Sequence, residues 1–539
     1  MAITSDLSRI ERELGRSKDY GTWRALAEQH DTHSGKAKWR SKPESTLFDH
    51  ENIQYRLDEL RKFRINQDDV GLMFALNEGI HGNQAGMGNP KLYGKSMVGT
   101  KHLIEDYIKE ISDALKHLHA LAVSEQITQE DKEDFFHRAQ LCFGRSALML
   151  SGAGSLGHFH HGVARTLFQH GLLPKVISGS SAGSIFAAVL GTHTDRELKV
   201  LLPKVDLSDA IGSEERDGFI RPQVDAESLR ILLETVIPNL TFQEAYEKTG
   251  RMISVTIAPL AEHQSSRLMN SITAPNVFIR SAVTASCAVP GLFPPVMLMA
   301  KNVYGEPQPY ISTRRWVDGA VTDDLPTKRL SRLYGVNHYI VSQANPLALA
   351  MMSSTKFLVP DVAKSFVQSS TREWLKAGEK FSRRFLRDVP NVGQAVSMFY
   401  SVMAQDYTGD VNIAPSFNFV DPQKLMARLT KKEITDLIEE GERATWTKIE
   451  QIRICTEVGR TLDEILDHHA EHDIKAFYKS RSARKAKSAR SWTALSHSSG
   501  VTNSETTINR QSNTGNVLRG WQCQRKCCMG NLFWFCIAS

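Results

Sequence analysis

The sequence predicts an α/β protein: a mostly parallel β-sheet covered by helices, with helical regions before and after it. Three observations carry this. From about residue 145, short apolar and β-branched runs alternate with helical stretches, the pattern of parallel strands joined by crossover helices. Two of the strand-to-helix junctions are glycine-rich turns, at 152–157 and 179–183. The residues up to about 140, and again from about 350 to 475, place their apolar side chains at helical rather than alternating spacing.

Taken in order, residues 1–140 form a helical N-terminal domain. Ile104, Tyr107, Ile108, Ile111, Leu115, Leu118 and Leu121 make one apolar stripe on a helix, and HGNQAGMGNPKLYGKS (81–96) is a Gly/Asn-rich connection. A second domain, 141–345, begins with a strand over 146–150, the turn 152–157 and a helix reaching His170. A strand over 175–178 then enters the second turn, and a helix leaves it toward Leu190. Further strands are expected at 252–257, 316–317 and 336–342. Residues 346–475 read as a helical C-terminal region. From 476 to 539 the chain is expected to be disordered: KSRSARKAKSARS, from Lys479, has too little apolar surface to bury a core.

Bulk properties exclude several classes. A hydrophobic content of 41% with 23% charged residues is that of an ordinary globular chain, and a net charge of +6 is too small to argue for a nucleic-acid partner. The opening MAITSDLSRIERELGRS has no apolar core of a secretory signal. The longest apolar stretches, at 347–352 and the proline-broken 288–300, fall short of the ~20 residues that span a bilayer. Cys142, Cys287 and Cys455 are isolated, while Cys523, Cys527, Cys528 and Cys536 crowd the end. The expectation is a reduced, cytosolic chain with neither a disulfide framework nor metal-ligand spacing, and no metal or cofactor is expected.

The chemistry concentrates in the two turns. Gly179-Ser180-Ser181-Ala182-Gly183 is G-x-S-x-G, set between a strand and a helix. That is the setting of a nucleophile elbow, where small neighbours let the backbone turn sharply and a carbonyl approach Ser181. Gly152-Ala153-Gly154-Ser155-Leu156-Gly157 has the spacing of a dinucleotide turn, but LLPKVIS downstream lacks the acidic residue such a site requires. Its amides at a helix N-terminus suit an oxyanion instead. A hydroxyl nucleophile needs a base. In RRWVDGAVTDDLP a strand ends at Asp318-Gly319-Ala320, which places a carboxylate where open α/β sheets hold their ligands. A histidine base is the alternative: Ser181, Asp318 and His338 follow the chain order of an α/β-hydrolase triad, and His158, His160 and His161 follow the first turn.

FGRSALMLSGAGSLGHFHHGVARTLFQHGLLPKVISGSSAGSI resembles the patatin-like phospholipase family. The turn 152–157, the G-x-S-x-G and the Asp-Gly-Ala at 318–320 occur in the family's order, as does ASCAVPGLFPP from Ala285. GNPKLY and the Ile104–Leu121 stripe are similar to the domain that precedes the catalytic one in the triacylglycerol lipases of plant seeds and yeast lipid droplets. The resemblance covers roughly residues 5–345. It implies a three-layer α/β/α sandwich and a Ser–Asp dyad of Ser181 and Asp318 without a catalytic histidine. It also implies an oxyanion hole in 152–157 and a lipid ester as substrate. Ala153 and Leu156 stand where many members have a third glycine and a basic residue. The missing cation favours neutral glycerides over phospholipids, with phospholipase A action or acyl transfer as alternatives. An inactive lipid-surface scaffold is the reading from another class.

Such an enzyme works at a membrane or lipid-droplet surface. TREWLKAGEKFSRRFLR (371–387) sets Trp374, Ala377, Phe381 and Phe385 on one helical face, with Lys376, Lys380, Arg383, Arg384 and Arg387 opposite; this is the pattern of a helix packed on the core with a solvated basic face, the preferred reading, or of one that meets an anionic lipid surface. Cys536-Ile537-Ala538-Ser539 fits a prenylation box, with basic residues upstream and Cys527 and Cys528 available for a second acyl group.

Overall fold

The computed structural model describes residues 2–203, 226–261, 265–290, 293–345, 348–349, 408–416 and 429–470. The basic amphipathic segment at 371–387 and the cysteine-containing tail lie outside them.

The described residues form nine strands: β1 (Arg145–Leu150), β2 (Val176–Gly179), β3 (Met252–Pro259), β4 (Arg267–Asn270), β5 (Met299–Lys301), β6 (Pro307–Pro309), β7 (Trp316–Asp318), β8 (Val336–Ser342) and β9 (Val411–Ile413). Seven form one sheet in the order β4-β3-β2-β1-β8-β9, with β7 also on β3; β5 and β6 form a separate hairpin. The central pairs β3–β2, β2–β1, β1–β8 and β8–β9 are parallel, and β4 and β7 run antiparallel to β3. Leu150 is opposite both Gly179 and Ser342, so the three central strands finish level, and the segments leaving them share one crevice.

The strands bury both faces, and the side-chain period of two sorts them into two layers. Leu148, Leu150, Ile177, Val255, Ile257 and Ile340 face the helices His158–Gln169 and Ala182–Thr192. Ala147, Met149, Val176 and Val341 face Leu330 and Tyr334 of the helix Thr327–Tyr334. Every residue of Ala182–Thr192 is buried, which its near-continuous run of small and apolar side chains requires.

A second core lies among the N-terminal helices. Ile53, Leu57 and Leu60 pack with Leu72 and Leu76, the His102–Ala120 stripe, and Phe135 and Phe136. Ile454, Val458, Leu462 and Ile465, on the helix at 449–470, belong to this same cluster. Conversely Ile10, Leu14, Trp23 and Ala27 of the first two helices join the core under the sheet. The N-terminal helices and the end of 346–475 therefore each contribute to both cores, and the described residues up to 470 belong to one compact unit. Among the described residues no helix is long and apolar enough to cross a membrane.

Candidate active site

β2 delivers the G-x-S-x-G turn. Ser181 has φ 49° and ψ −126°, a left-handed conformation that is costly for a residue with a Cβ. Its surroundings hold it there. The Ser181 amide donates to Ser286 Oγ at 2.9 Å, and Ser286 Oγ donates to the Thr256 carbonyl at 2.8 Å. Ser184 Oγ donates to the Ser181 carbonyl at 2.6 Å, and the Ser180 amide donates to the Leu150 carbonyl at 3.1 Å. The flanking glycines are dictated by close approach: a Cβ on Gly179 would lie 2.4 Å from the Gly183 carbonyl oxygen, and one on Gly183 2.3 Å from that of Leu150. The helix Ala182–Thr192 starts immediately after the serine.

Asp318 reaches the same place along β3. Gly179 pairs with Val255. Asp318 pairs with Ile257, whose other edge is taken by Arg267 of β4. The elbow and the carboxylate thus follow one another on a single edge of β3, two residues or ~7 Å apart along the strand. Asp318 is 3% exposed. Its Oδ1 accepts the Ala320 amide at 2.8 Å, and its carboxylate accepts a hydrogen bond from the Ser181 side chain. Burial pushes its pKa up to about 7, against the pull of those two hydrogen bonds. Gly319 lies flat on β3, where a Cβ would come within 2.6 Å of the Thr256 backbone carbon.

The loop after β1 passes against Ser181. A Cβ on Gly152 would stand 3.5 Å from Ser181 Cβ and 2.9 Å from Ala320 Cβ. Ala153 and Gly154 follow with φ −146° and +52°, and the turn Gly154–Gly157 leads into the helix at His158. Leu156 is buried and Ser155 half-buried; Gly157 packs on Ala182, 2.8 Å from where its Cβ would be. One loop amide has another duty: Gly152 N–H donates to Asp324 Oδ1 at 2.7 Å instead of facing Ser181.

The structure does not assemble the histidine triad. His338 is opposite Ser146, bonded to its Oγ at 3.0 Å. That is four residues, ~13 Å, before the strand end that adjoins Ser181. His160 sits beneath the site. Its Nε2 donates to the Ser151 carbonyl at 3.0 Å, so Nδ1 accepts from Ser342 Oγ at 2.7 Å, and burial lowers its pKa to about 4. His161 Nε2 donates to the Leu202 carbonyl at 2.8 Å. The buried His160 is a neutral strut between β1 and β8. Among the described residues no group of three or more His, Cys, Asp or Glu is placed to hold a metal ion.

Two residues at the site were not singled out in the sequence, Ser286 and Asp324. Both lie within quoted motifs, in ASCAVPGLFPP and in DGAVTDDLP. The signal for Asp324 was a second carboxylate followed by Leu-Pro, with Leu325 anchored in the core. Its backbone carbonyl accepts Ser180 Oγ at 2.9 Å. Burial, with the charge of Asp318 adding to it, raises its pKa to about 8. Cys287, equally buried, has its thiol pushed up by burial and by Asp318, which leaves it unreactive.

Comparison with known proteins follows this geometry. Residues 148–330 match the model of the patatin-like phospholipases, and residues 1–141 match a domain of unknown function. The triacylglycerol lipase SDP1L of Arabidopsis thaliana is 34% identical over 472 residues, which cover 83% of this chain and 57% of that protein. The triacylglycerol lipase ptl3 of Schizosaccharomyces pombe is 32% identical, with 82% and 93% covered. Triacylglycerol lipase 4 of Saccharomyces cerevisiae is 32% identical, with 80% and 50% covered. The chain therefore spans little more than half the length of the plant relative and half that of the budding-yeast one. With an elbow serine, an Asp-Gly-Ala strand end and a fission-yeast relative matched over nearly its whole length, the chain belongs to the patatin-like phospholipase family.

Proposed function

We propose that the chain is a serine acyl hydrolase that cleaves glycerolipid esters, triacylglycerol foremost, through a Ser181–Asp318 dyad and an acyl-enzyme. The observation that carries this reading is the placing of Ser181 and the buried Asp318 next to each other on one edge of β3, with the Asp318 carboxyl pushed by burial to a pKa of about 7. An aspartate at its ordinary value is a poor base, whereas one near 7 matches the working pH of a general base.

Asp318 takes the Ser181 proton as Oγ attacks the ester carbonyl, giving a tetrahedral oxyanion. The Ala153 and Gly154 amides, on the loop against Ser181, donate to that oxygen. Donors of this kind are worth ~3–4 kcal/mol each. Asp318 then returns the proton to the departing glycerol oxygen, leaving an acyl group on Ser181. Water enters, gives its proton to Asp318 and attacks the acyl carbonyl, and the serine leaves with that proton. The strained backbone of Ser181 serves the same step by lifting Oγ clear of the turn.

Two supports favour triacylglycerol. Three relatives matched over most of this chain carry the name triacylglycerol lipase, and the loop 152–157 has Ala153 and Leu156 and no cation for a phosphate. A neutral, water-insoluble substrate implies peripheral binding to a membrane or lipid-droplet surface. The test is fatty-acid release by the purified full chain and by Ser181→Ala, from triolein emulsion and from phosphatidylcholine vesicles. Release from triolein, lost in the variant, is expected. Preferential release from phosphatidylcholine reassigns the substrate to phospholipase action. Acyl transfer between glycerides without net release reassigns the reaction, and wild type equal to Ser181→Ala on both lipids sinks the catalytic reading.

A further inference from the structure

We infer that Asp324 is a positioning residue: its side chain and its backbone carbonyl together tie the oxyanion loop to the nucleophile elbow. The inference rests on the hydrolase reading above and adds to it the group that sets the loop's geometry.

Two hydrogen bonds converge on this one residue from two segments, the loop after β1 and the elbow after β2. From the β1 loop, the Gly152 amide donates to Oδ1 at 2.7 Å. From the elbow, Ser180 Oγ donates to the backbone carbonyl at 2.9 Å. The residue is 1% exposed, and its neighbour Leu325 is fixed in the core beneath the sheet, so the anchor itself has nowhere to move. Gly152 also lies against Ser181, since a Cβ there would stand 3.4 Å from Asp324 Oδ1 and 3.5 Å from Ser181 Cβ. Fixing the Gly152 amide therefore fixes the peptide planes that follow, and with them the direction in which the Ala153 and Gly154 amides point. Oxyanion donors act only within a few tenths of an ångström of the developing charge, so a loop tethered at its first residue differs from a free one in rate.

The groups facing Asp324 explain why a carboxyl serves here without disturbing the base. Asp318 and Asp323 raise its pKa by their charge, and the Gly152 amide and the Asn345 side chain lower it; burial outweighs both, leaving it near 8. Burial disfavours its charge, and an Oδ1 of either form accepts the Gly152 bond. A neutral amide of the same shape offers the same acceptor.

The test compares Asp324→Ala, Asp324→Asn and wild type in the full chain, by steady-state kinetics on a p-nitrophenyl ester and by amide hydrogen exchange at 151–157. Asp324→Ala is expected to lose about 100-fold in kcat with KM within about 3-fold, and to exchange the Gly152 amide at least about 10-fold faster. Asp324→Asn is expected to keep kcat within about 5-fold and to keep the protection. If the alanine variant does not fold, Asp324→Ser, whose hydroxyl stops short of Gly152, takes its place with the same two readings. Wild-type kcat in the alanine or serine variant overturns the inference and leaves the hydrolase standing, as does equal damage in Asp324→Asn and Asp324→Ala. Unchanged exchange at Gly152 overturns it whatever the activity. A wild type inactive on esters, with the exchange pattern as expected, supports the tether and removes only the hydrolase reading.

Discussion

Asp318 carries two opposed demands. As the proposed base it must be ionised, while its burial favours the neutral acid, with a pKa of about 7 against an ordinary 3.8. Two predictions follow from the sign of that shift. First, kcat/KM rises with pH through about 7 and then levels, because only ionised Asp318 accepts the Ser181 proton. A profile already flat from pH 5 to 8 contradicts the assignment. Second, between about pH 4 and 7 the folded chain holds a proton here that the unfolded chain has released. The site therefore destabilises the fold increasingly as pH rises across that window, by about 1.4 kcal/mol per unit of separation. Asp318→Asn removes the cost together with the base. It is expected to lose at least about 1,000-fold in activity and yet to melt several degrees higher than wild type at pH 8, as differential scanning calorimetry would show. An inactive variant with a lower melting point at pH 8 would contradict the pKa argument.

Between elements, the proposed mechanism depends on how tightly the helix after the loop 152–157 is held. His158–Gln169 crosses Lys431–Trp446 at two glycines. A Cβ on Gly162 would stand 2.0 Å from the Ile438 carbonyl oxygen, and one on Gly441 2.2 Å from that of Phe159. The obstacles are backbone, so a substitution must separate the helices. Gly162→Ala is expected to cost ~1–3 kcal/mol and to lower kcat as well, because the displaced helix begins at the end of the loop 152–157. Undiminished activity together with a lowered melting point would show that the loop is insulated from this contact. This scale also separates what the sequence makes legible from what it hides. Strands buried on both faces, such as β1 and β3, declare themselves as short, mostly apolar runs, and the elbow as small residues between a strand and a helix. β7 has three residues, and its antiparallel place on β3 depends on pairing that no local pattern records. The chain order Ser181, Asp318, His338 fits a triad equally well; register alone puts the histidine at the far end of β8. Asp324 reads as a turn residue until Gly152 and Ser180, more than 140 positions earlier, are seen to meet it.

Across the whole molecule, the catalytic sheet and the N-terminal helices are joined by the chain's return. The helix at 449–470 begins in the sheet's core, through Ile449 and Ile452, and ends in the other, through Val458, Leu462 and Ile465. Polar links reinforce the seam: Tyr20 Oη donates to Glu450 at 2.9 Å, Arg24 pairs with the same carboxylate at 3.2 Å, and Ser112 and Thr461 hydroxyls meet at 2.8 Å. One helix that spans two cores couples their unfolding, since neither can open without exposing part of it. Leu462 is fully buried, far in sequence from the helices it touches and distant from the dyad along this helix. Leu462→Ala is expected to destabilise by ~2–5 kcal/mol, within the range for a leucine truncated in a core. The informative observation is the shape of the transition. If the two cores form one cooperative unit, intrinsic fluorescence and the loss of hydrolytic activity shift together, in a single transition at lower denaturant concentration. Should the variant unfold its N-terminal helices first while hydrolysis persists to the wild-type midpoint, the helical region is a separately stable attachment, and the seam through 449–470 does not bind the two energetically.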